Sequence, residues 1–212
     1  KPVQKLSYYK PETLEEALRL LARHGGKMKP YAGGTDLLVQ FREKASRLKD
    51  VEAVMDIAGM KECLGIEVYH ERISVGAMTT HTQMSESPVI RQHAAFLAAA
   101  ASTVGSPQIR NSGTVGGNIC NGSPAADTLS PFVALDAQLV IKSAAGERRA
   151  LVKDIYLGAN KVSLGPGELV TRIEFDRIDE YKTAFIKLGR RKALAISRLN
   201  AAAAIRDRKS VV

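Results

Sequence analysis

A chain of 212 residues suits one large domain or two small ones and can remove roughly 70% of its unfolded surface from water. Apolar residues make up 45% and charged residues 25%, close to ordinary globular composition and a poor match to disorder, and with no tryptophan and 5% aromatics the core must rest on Leu, Val, Ile and Ala. Of the net +9, +7 lies between Lys187 and Lys209, where eight basic side chains accompany only Asp207; with no base-stacking aromatic after Phe185, this is expected to be a solvated or partner-docking face rather than a nucleic-acid surface.

In chain order, Thr13 and Glu16 set a capping-box pattern ahead of Leu14, Leu18 and Leu21 on one helical face, and Gly25 stops that helix. Residues 28–44 read as a short strand, a break at Gly33-Gly34, and a helix from about Asp36 to Lys44. Residues 51–57 form a buried strand. A hairpin follows, with Leu64, Ile66 and Val68 alternating before His70-Glu71 and Ile73, Val75 and Ala77 after it. Pro88 opens an Ala-rich helix predicted to run to about Val104. After a glycine-rich loop come a helix in "TLSPFVALD", a second hairpin in "AQLVIKSAAGERRALV", a strand over 168–175, and two strands around a basic turn. Hairpins mixed with helices predict an α+β fold rather than a doubly wound parallel sheet.

The longest helix-like apolar run, residues 94–104, is shorter than the ~20 residues a membrane span needs. The first residues lack a signal-peptide pattern, so a cytoplasmic location is expected. Cys63 and Cys120 are then reduced thiols, and two cysteines cannot hold a four-thiolate cluster.

Two segments break into paired glycines: Gly33-Gly34-Thr35-Asp36, and Gly116-Gly117-Asn118 within "NSGTVGGNICNGSPAADT". Neither is a G-x-G-x-x-G fingerprint, and no G-x-x-x-x-G-K-[ST] is present. The shared chemistry still applies: glycine lets the main chain approach a ligand, consecutive N–H groups bind anions, and Thr35, Ser112, Thr114, Asn118 and Ser123 add short polar groups. Two tight turns are the alternative reading. The four histidines, at 24, 70, 81 and 93, are scattered without metal-ligand spacing, and His81 is expected to be structural. Asn121-Gly122-Ser123 fits a glycosylation acceptor but is set aside for want of a secretory signal.

"KPYAGGTDLL" at 29–38, followed by "IRNSGTVGGNICNGSPAADT" at 109–128, resembles the two flavin-binding segments of the FAD-binding (medium) subunit of the molybdenum hydroxylases. That family includes xanthine and carbon monoxide dehydrogenases. "YYKPETLEEALRLL", "ISVGAMTTH" and "FIKLGRRKALAISRLNAA" extend the resemblance in the same order along nearly the whole chain. It implies a two-lobed FAD-binding fold of the vanillyl-alcohol-oxidase/PCMH type, with lobes at 1–57 and 58–178 and the start of a C-terminal α+β domain at 179–212. Because members of the family continue further, the chain is expected to be shortened at its C-terminus.

The resemblance also implies a site. In the first segment, Lys29, Tyr31, Ala32, Gly33, Gly34, Thr35, Asp36 and Leu37 would meet FAD, with main-chain and hydroxyl contacts to its pyrophosphate. Asp36 would turn away from the phosphates and cap the following helix. In the second, Val104, Gly113, Thr114, Gly116, Gly117 and Asn118 would line the flavin and phosphates, and Ser123 with Asp127 the ribose and adenine end; Asp127 capping the next helix is the alternative. Leu169 and Lys187 would approach the isoalloxazine or adenine, although a lysine on a basic strand is often only solvated. No catalytic side chain and no metal are expected. The implied function is electron transfer through FAD, from a small 2Fe–2S subunit and a large molybdenum-cofactor subunit to an acceptor such as NAD+ or oxygen. A docking relative that keeps the fold without using flavin is the alternative.

Overall fold

The computed structural model describes residues 6–191 and 195–206. Its first part runs β1 (Ser7–Tyr9), α1 (Leu14–His24), β2 (Met28–Tyr31), α2 (Leu37–Arg42) and β3 (Ala53–Asp56). The Thr13 hydroxyl accepts from the Glu16 N–H at 3.2 Å, and Gly25 ends α1 at φ 56°. The Glu16 carboxylate accepts from the Glu12 N–H rather than from Thr13, so the capping box closes one residue early. The three strands are parallel, in the order β1-β3-β2, because each connection crosses over through a helix. Leu14, Ala17, Leu18 and Leu21 bury the apolar stripe of α1 against Met28, Ala53 and Met55. Each such large side chain contributes about 1.5–3 kcal/mol.

The second part runs β4 (Ile66–Tyr69), β5 (Arg72–Gly76), α3 (His81–Glu86), α4 (Pro88–His93), α5 (Ala95–Ser102), α6 (Pro107–Ser112), α7 (Val115–Cys120), α8 (Leu129–Ala134), β6 (Gln138–Ser143), β7 (Gly146–Leu151), a ribbon of β8 (Tyr156–Gly158) and β9 (Lys161–Val162), and β10 (Leu169–Asp176). Its antiparallel sheet has the order β4-β5-β10-β6-β7. His70, at φ 54°, makes the tight turn of the first hairpin. One sheet face carries Ile73, Val75, Leu139, Ile173 and Phe175, which pack on Phe96, Leu97, Ile119 and Phe132 from the helices. The other face carries ion pairs, among them Arg149 with Glu174 and Arg172 with Glu67. The Ala-rich helix predicted over residues 88–104 is two helices. Ala94 breaks it at φ −155° and ψ 54°, and the turn buries Ala94, Phe96 and Leu97 in the sheet core.

The last part is an antiparallel ribbon of β11 (Tyr181–Gly189) and β12 (Ser197–Arg206). Phe185, Ala202 and Ala204 pack on the large core, while Ile186, Leu188, Leu199 and Ile205 face outward. Of the basic turn, Lys192 lies outside the described residues, as do Asp207, Arg208, Lys209 and the rest of the C-terminal segment. Among the described residues, no helix is long and apolar enough to cross a membrane.

Candidate cofactor site

After β2 the chain leaves the parallel sheet through Ala32, Gly33, Gly34, Thr35 and Asp36 before α2 begins. Gly34 sits at φ 69°, and a Cβ there would fall 2.7 Å from the Tyr31 ring, so Tyr31 backs the turn from behind. At Gly33 a Cβ would fall 1.8 Å from Ser112 O, which makes this glycine the contact point with the second loop. The carbonyls of Gly34 and Asp36 accept from Leu38 and Gln40, each at 3.0 Å. The N–H groups of Gly33, Gly34, Thr35 and Asp36 donate to no protein group among the described residues. Asp36 does stand at the helix start, but its side chain does not cap it. Its backbone is helical (φ −99°, ψ −45°), not the extended conformation from which a capping carboxylate reaches the next turn.

The second glycine loop differs in what its backbone does. Thr114 caps α7, its hydroxyl accepting from the Gly117 N–H at 3.2 Å. The N–H groups of Val115, Gly116 and Asn118 donate to Thr79 O, Ala77 O and Thr114 O, each at 2.9 Å. The main-chain donors of Gly116, Gly117 and Asn118 are therefore already used by the fold, while all three residues line the cleft. Gly116 is there for packing, since a Cβ would sit 2.6 Å from Ala77 Cβ. Gly117 is helical rather than at positive φ. A Cβ there would meet only Thr114 Oγ1, at 2.9 Å, and would otherwise enter open space.

Between the loops lies a cleft of about 650 Å³. All the residues expected at the site line it except Tyr31, Ser123, Asp127 and Lys187. Ser123 Oγ accepts from the Ala125 N–H at 3.3 Å. Lys187 is not a solvated lysine: its Nζ donates to Asp127 Oδ2 at 2.6 Å and to Thr103 O at 2.9 Å. The two side chains are 12% and 6% exposed. Nor does Asp127 cap α8, whose N-cap position is taken by Thr128. Its Oδ1 is buried with no partner among the described residues. Burial raises the Asp127 carboxyl above the ordinary range, and Lys187 opposes that shift.

Three groups on the cleft wall lay outside the sequence expectation. The first is the rim over residues 157–168, including Leu157, Asn160, Lys161 and Pro166. Arg148 holds this rim through a two-pronged pair with Glu168 (2.5 and 2.7 Å), whose Oε2 also accepts from the Gly165 N–H at 2.7 Å. The second is a clasp: Arg47 donates to Asn121 Oδ1 at 2.7 Å and to Gln40 Oε1 at 2.9 Å, joining the first lobe to the end of α7. The third is His81, which was expected to be merely structural. The only local signals were turn residues, Asn160 at φ 56° and the Gly165-Pro166-Gly167 run, which announce loops but not ligands.

Residues 4–176 match the family model described as the FAD binding domain in molybdopterin dehydrogenase. The chain belongs to this family. FAD is accordingly its cofactor, and its class is that of an oxidoreductase subunit. The nicotinate dehydrogenase FAD-subunit of Eubacterium barkeri is 40% identical over 206 residues, covering 94% of this chain and 68% of that protein. A putative xanthine dehydrogenase FAD-binding subunit of Escherichia coli is 36% identical, covering 93% of this chain and 67% of that one. The chain thus spans about two thirds of the length of these relatives. A solved structure of carbon monoxide dehydrogenase from Hydrogenophaga pseudoflava superposes with a TM-score of 0.91 at 28% identity, over 98% of this chain and 71% of the other.

The geometry of this FAD-binding domain fits its cofactor. Four unclaimed N–H groups stand on one side of a cleft whose volume falls within the ~300–1,000 Å³ usual for ligand sites. At Gly117, also on the cleft lining, the wall is kept free of side chain.

Proposed function

We propose that this chain is the FAD-carrying electron-transfer subunit of a multi-subunit molybdenum hydroxylase. The observation that carries the reading is the row of N–H groups from Gly33 to Asp36, four donors with no formal charge, on the wall of the cleft. They hold the FAD diphosphate, with Thr35 adding a hydroxyl. Gly113, Gly117 and Asn118 form the facing wall against which the cofactor lies. Asp127, kept in place by Lys187, accepts a hydrogen bond from the cofactor. Leu169 and Val104 supply apolar surface. The clasp from Arg47 to Asn121 and the rim anchored by Arg148 and Glu168 exclude water from the bound cofactor.

When bound, FAD supplies the exchange between two-electron and one-electron carriers. Cys63 and Cys120 cannot make a four-thiolate cluster, so iron–sulfur clusters are carried by a 2Fe–2S partner, and a molybdenum subunit oxidises the substrate. NAD+ or oxygen is the acceptor. The three-stranded sheet, the five-stranded sheet and the terminal ribbon support a division at 1–57, 58–178 and 179–212. Titrating the purified chain with FAD, followed by flavin absorbance and fluorescence, tests the reading. A folded chain that takes up no FAD rejects it.

A further inference from the structure

His81 opens α3 where the two glycine loops meet, and only 2% of it is exposed. Its main-chain N–H donates to Gly113 O at 3.1 Å, which ties it to the second loop. The imidazole is part of the cleft wall, and Nδ1 is enclosed with no hydrogen-bond partner among the described residues. The opposite edge of the ring faces the loops. A Cβ built on Gly113 would lie 3.3 Å from His81 Cδ2 and 3.6 Å from Thr35 Oγ1, so imidazole and hydroxyl converge on one point from different lobes. Gly33 reaches the same place, since its own added Cβ would fall 3.0 Å from Gly113 Cα.

A histidine that only filled space would leave its polarity unexplained, because an apolar ring would pack there at lower cost. An enclosed N–H that meets no acceptor is the rarer and costlier state, so Nδ1 keeps its lone pair and the proton sits on Nε2. Burial, helped by Arg110, lowers the imidazole to about 4, so it is neutral at pH 7. Nε2 is bonded to Cδ2, the atom that faces the meeting point of the loops. A neutral ring can therefore offer a donor to an anion there without adding charge, as the Gly33–Asp36 amides do.

We propose that His81 is a cofactor-binding residue that donates from Nε2 to the FAD diphosphate between the two glycine loops. This rests on the diphosphate lying at Gly33–Asp36. The test uses the full chain loaded with FAD. His81→Phe keeps a ring and removes the donor, whereas His81→Gln returns an N–H close to the Nε2 position. His81→Phe is expected to raise the FAD Kd about tenfold or more, as for loss of a hydrogen bond to a charged acceptor. His81→Gln is expected to stay within about threefold of the parent, on the same grounds. In phosphorus NMR of bound FAD, each variant should shift one of the two phosphate resonances and leave the flavin absorption band in place. A purely structural histidine would lower the thermal midpoint without moving the phosphorus signal. Unshifted phosphorus resonances in FAD-loaded His81→Phe overturn the proposal, and where His81→Phe does not fold, unshifted resonances in FAD-loaded His81→Leu do so instead. Failure of the underlying reading looks different: phosphorus resonances indifferent to Thr35→Val would place the diphosphate elsewhere and remove the basis for His81 as well.

Discussion

The two glycine loops look alike in composition and do opposite things with their backbones. From Gly33 to Asp36, four N–H groups meet no acceptor among the described residues, while Gly33 lets the other loop approach and Gly34 turns at positive φ against the Tyr31 ring. From Val115 to Asn118 every N–H is spent inside the protein, and Gly116 lets α7 touch the chain at Ala77, just past β5. A Gly-Gly pair therefore announces close approach but not what approaches. In one loop the amides stay unbonded on the cleft wall, and in the other they are taken up by the fold itself.

Gly116→Val should show the largest effect, because its Cβ would press on Ala77 Cβ and on Ala77 O at 2.7 Å. A loss of about 3 kcal/mol is expected for such overpacking, or roughly 6–12 °C in the thermal midpoint of the FAD-free chain. An unchanged midpoint would dissolve the contrast between the loops. Lys187→Met strands the Asp127 carboxylate, at a cost of about 3 kcal/mol at neutral pH. With its folded value raised, Asp127 favours the protonated form in the fold, so this deficit should shrink as pH falls toward the ordinary carboxylate range. Thermal melts at neutral and mildly acidic pH would show the narrowing, and a constant deficit would contradict it.

Gly117→Val sharpens the comparison from the other side. Its neighbour Thr114 Oγ1 loses its capping geometry, at a cost of about 1 kcal/mol, while the branched side chain enters the cleft. FAD uptake should fall steeply in a protein that still melts cooperatively, the reverse of Gly116→Val; retained affinity would take Gly117 off the ligand wall. Thr114→Ala removes only the cap and should cost about 1 kcal/mol. Its FAD affinity is expected to change less than that of Gly117→Val in the same titration. Smallest is Arg47→Ala, which opens an exposed clasp worth about 0–1 kcal/mol. Its signature is faster FAD release in a displacement experiment, with the midpoint almost unmoved.

How much of this was legible depended on whether a feature is local. The capping threonine, the stop at Gly25 and both hairpins follow from neighbouring residues, and the structure has them. The break at Ala94 does not, because burial of Phe96 and Leu97 under the sheet overrides an unbroken helical pattern. The glycines and threonines of the cleft were visible as a class. Which amides remain open was not, since that turns on partners such as Ala77 and Thr79, tens of residues away in sequence. Lys187 and Asp127 are 60 residues apart and could be flagged only singly. The rim at 157–168 carries turn residues and no ligand motif, so only the fold could bring it to the cleft.

Cys63 is in the core and Cys120 reaches the cleft wall from α7, and burial pushes both thiols up to about 12. At pH 7 both thiols stay protonated, so sulfhydryl chemistry on the native chain is slow at both positions. A cysteine placed at Leu157, which is 68% exposed on the rim, would react almost alone. The protein thus comes ready for a single spectroscopic reporter on the rim of its cleft, without prior removal of its own sulfur.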